Sequence, residues 1–338
     1  MSETPRPIPR PPQNRARSRP WTKLSVLEQV FGFDNEAFSS YMSRARNTQE
    51  LAQLVPRLGE SDHPIVLGAA GCAAMEWALH PVKPYKKIRQ ESFNRRKNYL
   101  EEAGKYWQAS LDGLPALIQS RPLIEDRKEL AFMRVQTMHR LAYLPMMESV
   151  ASLYSYCSLS PQEMADREYQ TRHNLVGLAK TVMSMPREKG RVARYRAGLL
   201  GEIACGMVGM MDNPAKYILL PSSIRNDHDC IKRQRADLIA ITTEPPYNKS
   251  LIQVGSNKGS EVIDRKRVFF DPAVDLVLSP GKYVASTVGV FSDITQEIIQ
   301  PDCEDYGRLA VLGRVMTMRI DQFNDARQQA SQQSIADQ

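Results

Sequence analysis

The chain has 338 residues, 42% hydrophobic and 25% charged, an ordinary globular balance with length for one large or two modest domains. Its net charge of +7 is uneven: residues 1–23 hold six Lys/Arg against one Glu, and residues 187–258 hold twelve against seven acidic residues, so the remainder is slightly acidic. Five scattered cysteines without a CxxC argue against a disulfide framework or structural zinc. The lack of a bilayer-length apolar run or an apolar signal segment completes the expectation of a soluble, cytoplasmic protein.

Residues 5–20 read PRPIPRPPQNRARSRP. Proline fixes φ and removes donors, so residues 1–20 are expected to form a disordered basic tail of extended, polyproline-like character. It is either a solvated leader or a PxxP-type ligand for a protein partner.

Residues 21–186 read as a helical region. Leu24, Leu27 and Val30 open an apolar periodicity, and Thr48, with Leu51 and Leu54 behind it, starts a helix. The stretch from Ile65 to Met75 is too short and too rich in Gly and Ala to cross a membrane. A long charged helix is expected from Lys83 to Ser110, with its charges on a solvated face or on nucleic acid. Helix continues through 122–155, where Met133, Met138, Met146 and Met147 read as core filler. Ser160, Pro161 and Glu163 supply an N-cap, a proline at the first helical position and the closing residue of a capping box. That helix runs toward Met185 and stops at Pro186.

A basic run follows: Arg187, Lys189, Arg191, Arg194 and Arg196. It leads into a helix ending near Met211. The pattern then becomes a series of short apolar runs at 217–220, 236–241, 251–254 and 268–270, broken by Pro, Asn, Asp and Gly, which read as strands of one sheet. Pro245 and Pro246 interrupt the chain between the second and third runs. A last helix is expected from Asp302 to Arg327, and residues 328–338 form a loose Gln/Ser-rich tail.

Three polar residues stand out. On a 3.6-residue period, Glu202 shares its helix face with Gly198, Cys205, Gly206 and Gly209, all small, so another backbone can approach and the sheet is the expected neighbour. Asp237 opens an otherwise apolar strand, where it either serves chemistry or caps a turn. Gln253 repeats the oddity in the next strand. Carboxylates and an amide oxygen from a helix and two neighbouring strands can converge on one hard cation such as Mg²⁺. The five histidines form no ligand pair at i, i+4 and read as surface or satisfied core residues.

The order helical GLLGEIA, strand RADLIAI, hairpin, strand LIQVGSNKG resembles the PD-(D/E)XK, or restriction-endonuclease-like, nuclease superfamily over roughly residues 190–280. The resemblance implies a metal site made of Glu202, Asp237 and Gln253, with Mg²⁺ as cofactor if the site is active and none otherwise. It departs from the family at one point: the lysine position is Gly255. Lys249 lies ~13 Å back along the strand. Lys258 is the candidate for a migrated catalytic lysine if the chain bulges at the glycine.

The expected fold class is therefore α+β, a helical N-terminal region followed by a restriction-endonuclease-like mixed sheet flanked by helices, the latter filling residues 187–327. The expected function is nucleic-acid binding, with DNA the expected partner and cleavage weak or lost. The basic residues 187–196 together with Lys232, Arg233 and Arg235 would carry the contact. Two alternatives stand beside it. One is an active metal-dependent endonuclease using Glu202, Asp237, Gln253 and Lys258. The other is a helical interaction protein in which the same polar residues are buried hydrogen-bonders.

Overall fold

The structure, a computed structural model, describes residues 36–43, 48–80, 89–157, 159–185, 198–203, 205–206, 217–224, 237–244, 247, 249–254 and 276–278. Among these described residues seven helices come first: α1 (Glu36–Ser43), α2 (Thr48–Gly59), α3 (Pro64–Ala78), α4 (Arg89–Ser120), α5 (Ile124–Ala142), α6 (Leu144–Tyr154) and α7 (Pro161–Ser184). Residues 198–203 and 205–206 are also helical. Four strands follow, β1 (Tyr217–Pro221), β2 (Leu238–Thr242), β3 (Lys249–Val254) and β4 (Leu276–Leu278).

Helix α3 is the centre of the helical part. Its sequence is apolar on every side, and Ala69, Ala70, Gly71, Cys72, Ala73 and Ala74 are all buried, as expected of a helix surrounded by others. It packs between α2 and α4. Small residues let α4 approach closely: a side chain at Gly71 would strike the indole of Trp107, which is itself wholly buried. His63 caps the helix start, its Nδ1 accepting the amide of Ile65 at 3.3 Å. No helix among the described residues is long and apolar enough to cross a membrane.

Helices α5, α6 and α7 close the assembly. The 122–155 stretch is two helices, because Pro145 starts a new one after the break at Tyr143. Met133, Met146 and Met147 are buried core residues. At the start of α7, Ser160 Oγ accepts the amide of Glu163 at 3.2 Å and the Glu163 carboxylate accepts that of Ser160 at 2.8 Å, the reciprocal box that its sequence spells.

The strands form one sheet in the order β1-β2-β3-β4, antiparallel across the first three and parallel between β3 and β4. β1 and β2 are almost continuously buried, which fits their unbroken apolar sequences. The sheet meets the helices through β1, which packs on α5 and α6. Arg140 of α5 fastens this junction, its Nε donating to the carbonyl of Ser222 at 3.0 Å just beyond β1.

The expectation of an α+β protein centred on a restriction-endonuclease-like mixed sheet flanked by helices is corrected here. The described residues are mostly helical, and the sheet is a minor element of strands three to six residues long. The physical reason is where the apolar area goes. Helices α1 to α7 supply most of the continuous hydrophobic core and bury it largely against one another, with β1 and β2 adding a smaller share at one side. The strand expected at 268–270, the helix expected at 302–327 and both tails lie outside the described residues.

Candidate functional site

Glu202 sits on the helical segment 198–206, between buried Gly201 and Ile203. Its side chain is only 19% exposed and turns toward α5, with Oε2 4.0 Å from Nδ1 of His139. His139 is 3% exposed and meets Tyr143, one turn further on, edge to face at 5.3 Å. Tyr143 is wholly buried, and burial first, with neighbouring Cys205 and Glu202 after it, pushes its phenol far above the ordinary range. The phenolic oxygen lies where a side chain at Gly206 would project. Of the small-residue face, Gly206 is therefore the position that admits Tyr143 of the helical region.

Cys205 links the two candidate carboxylates. Burial raises its thiol pKa, and Glu202 and then Asp237 raise it further, so both acids lie within electrostatic reach of one sulfur. Asp237 stands immediately before β2 and is half-buried. Its backbone is fully engaged: the amide donates to Ile252 O at 2.9 Å and the carbonyl accepts from Ser222 N at 3.1 Å. Its carboxylate is engaged too, with Oδ2 accepting the amide of Val254 at 2.8 Å. The antiparallel register, with Leu238 opposite Ile252, sets Asp237 opposite Gln253. Gln253 in turn pairs with Val277 of β4.

The structure thus brings Glu202 and Asp237 to one buried locus and sets the Gln253 backbone across from Asp237. These donors make a poor magnesium cage. One oxygen of Asp237 is spent on Val254, Glu202 faces His139, and among the described residues no three His, Cys, Asp or Glu side chains come together as a metal-binding group. Lys258 and Gly255 lie outside the described residues, as do Arg187, Lys189, Arg191, Arg194, Arg196, Lys232, Arg233 and Arg235.

The sequence reading left two members of this site unremarked. His139 read as one isolated histidine, and its signal is the i, i+4 spacing to Tyr143 inside an apolar stretch. Arg140 is 5% exposed among core residues, and a lone arginine within the run MHRLAYL is the mark of a buried tether. Comparison of the chain with protein-family models, curated proteins and solved structures returned no match.

Proposed function

We propose that this chain is a nucleic-acid-binding protein, with DNA its first candidate ligand, whose Glu202/Asp237/Gln253 constellation is a degenerate nuclease-type site without effective hydrolysis. One observation carries the second half: the Asp237 carboxylate is committed to the Val254 amide, as a structural closure of the β2–β3 ladder rather than an open metal ligand. Hydrolysis also needs a group that steadies developing charge, and the chain has Gly255 where the resembling sites carry lysine. Binding is supported by chain connectivity. Arg196 lies six residues before Glu202 and Arg235 two residues before Asp237, so each basic run leads directly into an element that carries a site residue. Free thiols at Cys72, Cys157 and Cys205 suit the reducing cytoplasm as the compartment.

A second reading draws on the same contacts. Asp237 bonding Val254 and Glu202 facing His139 are what buried hydrogen-bonders do in a helical interaction protein. One experiment separates the two readings. Fluorescently labelled duplex is titrated with native protein and with the Arg191→Glu/Arg194→Glu double variant over a range of salt, and plasmid nicking with Mg²⁺ or Mn²⁺ is followed in parallel. The proposal expects salt-dependent binding, weakened by charge reversal, and no nicking. Native protein that ignores duplex leaves the interaction reading standing. Efficient nicking that Asp237→Asn and Lys258→Ala both abolish makes the site an active nuclease.

A further inference from the structure

Two residues other than glycine among those described have a positive φ, Tyr156 at 54° and Tyr247 at 56°. A bulky aromatic in the left-handed region is strained, and Gly or Asn would make either turn more cheaply. The two tyrosines come from separate places, one just after α6 and one in the β2–β3 hairpin. Yet their rings meet edge to face at 5.7 Å, and Tyr154 backs Tyr247 at 6.0 Å. Each strained turn aims its ring at the same spot.

Two cationic side chains lie nearby, Arg96 and Lys249. Arg96 is buried, lies 5.7 Å over the Tyr154 ring, and donates to the carbonyl of Ala78 at the end of α3. Burial first, and Lys249 and Arg96 after it, hold His80 below the ordinary imidazole range, so the exposed cation here is Lys249, two residues along the chain from Tyr247. Tyr156 and Tyr247 are half-buried, Tyr154 and Arg96 buried. The arrangement is a half-buried pair of rings packed against Tyr154, with the exposed Lys249 two residues beyond Tyr247.

Packing alone accounts for Tyr247 touching the core, since any large apolar side chain would hold the hairpin there. It does not account for two strained backbones converging on one ring pair beside cations. We infer that Tyr156 and Tyr247 form a stacking platform for unpaired bases of a single-stranded nucleic acid, with Lys249 the cation for an adjoining phosphate. Aromatic faces accept any base, and nearby positive charge follows the backbone, which is the usual chemistry of single-strand recognition. The inference rests on the nucleic-acid reading above and narrows it to unpaired strands.

The test is fluorescence anisotropy of a labelled oligothymidylate and of a duplex of equal length, with native full-length protein and with the Tyr247→Phe and Tyr247→Leu variants. Phe keeps the stacking face, whereas Leu keeps only apolar bulk. Tyr247→Phe is expected to bind the single strand as native does, and Tyr247→Leu to lose about 5- to 100-fold, with duplex binding changed little in either. In case Tyr247→Leu unfolds, native protein is also photocrosslinked to an oligonucleotide containing 5-iodouracil, and the linked peptide is expected to contain Tyr156 or Tyr247. Single-strand affinity equal in Tyr247→Leu and native, or crosslinks that avoid both tyrosines, overturns the platform while leaving duplex binding intact. Failure of native protein to bind either probe removes both this inference and the nucleic-acid reading.

Discussion

The Asp237 carboxylate accepts the backbone amide of Val254 at 2.8 Å, so a side chain closes the β2–β3 ladder beyond the last paired residues. Val254 is buried. Removing the carboxylate takes this acceptor away from a buried amide, at a cost of about 1–3 kcal/mol. Asp237→Ala is therefore expected to unfold at lower urea than native protein by that amount, while Asp237→Asn, which keeps an oxygen acceptor, falls much closer to native. Equal losses in the two variants would show that the charge, and not the hydrogen bond, is what the fold uses at this position.

That bond also marks where sequence reasoning stopped. An Asp at the head of an apolar strand is legible, and so is its partner strand with Gln253. Whether the carboxylate faces a cation or a neighbouring amide depends on the β2–β3 register, which pairs Leu238 with Ile252 and is set by the intervening hairpin. Local signals fared better. Thr48 does start a helix, the Ser160–Glu163 box is present, and the apolar runs at 217–220, 236–241 and 251–254 largely coincide with strands. What the sequence concealed was proportion. Alternating apolar runs announce a sheet, but only packing reveals that the helices bury most of the core against one another and leave the sheet a minor part. The Glu202–His139 approach was hidden for the same reason, because its members are 63 positions apart and on different helices.

Gly206 is the point at which the Glu202 helical segment touches Tyr143, the residue that caps the start of α6. A Cβ there would collide with the Tyr143 hydroxyl, and Tyr143 is locked in the core. Gly206→Ala is expected to destabilise the protein by about 1–3 kcal/mol through overpacking. Combining it with Tyr143→Phe removes the struck oxygen, so the double variant should recover part of the loss and show a coupling energy well away from zero in a double-mutant cycle. Additive behaviour would mean that the helical segment is not seated on Tyr143.

Thiol chemistry offers an independent check on the buried locus. Desolvation raises the pKa of both Cys72 and Cys205, and at Cys205 the neighbouring Glu202 and Asp237 raise it further. A thiol held protonated and buried is a poor nucleophile. In native protein at about pH 8, iodoacetamide should label half-buried Cys157 well ahead of these two, and denaturant should expose all three. Peptide mapping reads the outcome. Labelling of Cys205 as fast as Cys157 would remove the closed packing that brings Glu202 and Asp237 together.

The cap of α7 predicts a pH dependence with a definite sign. Glu163 Oε2 accepts from both the amide and the hydroxyl of Ser160, and these bonds, the backbone one foremost, lower its carboxyl pKa. A depressed folded pKa means that the ionised form is favoured by folding. The stabilisation is complete above the unfolded value of about 4.3 and disappears as pH falls through the lower folded value. Glu163→Gln keeps an acceptor oxygen but cannot ionise. Native protein should therefore melt slightly above the variant at neutral pH, and the gap should close as the pH is lowered through the carboxylate range. A gap that stays constant down to acid would assign the cap's contribution to the neutral hydrogen bond, and a gap that widens would contradict the lowered pKa itself.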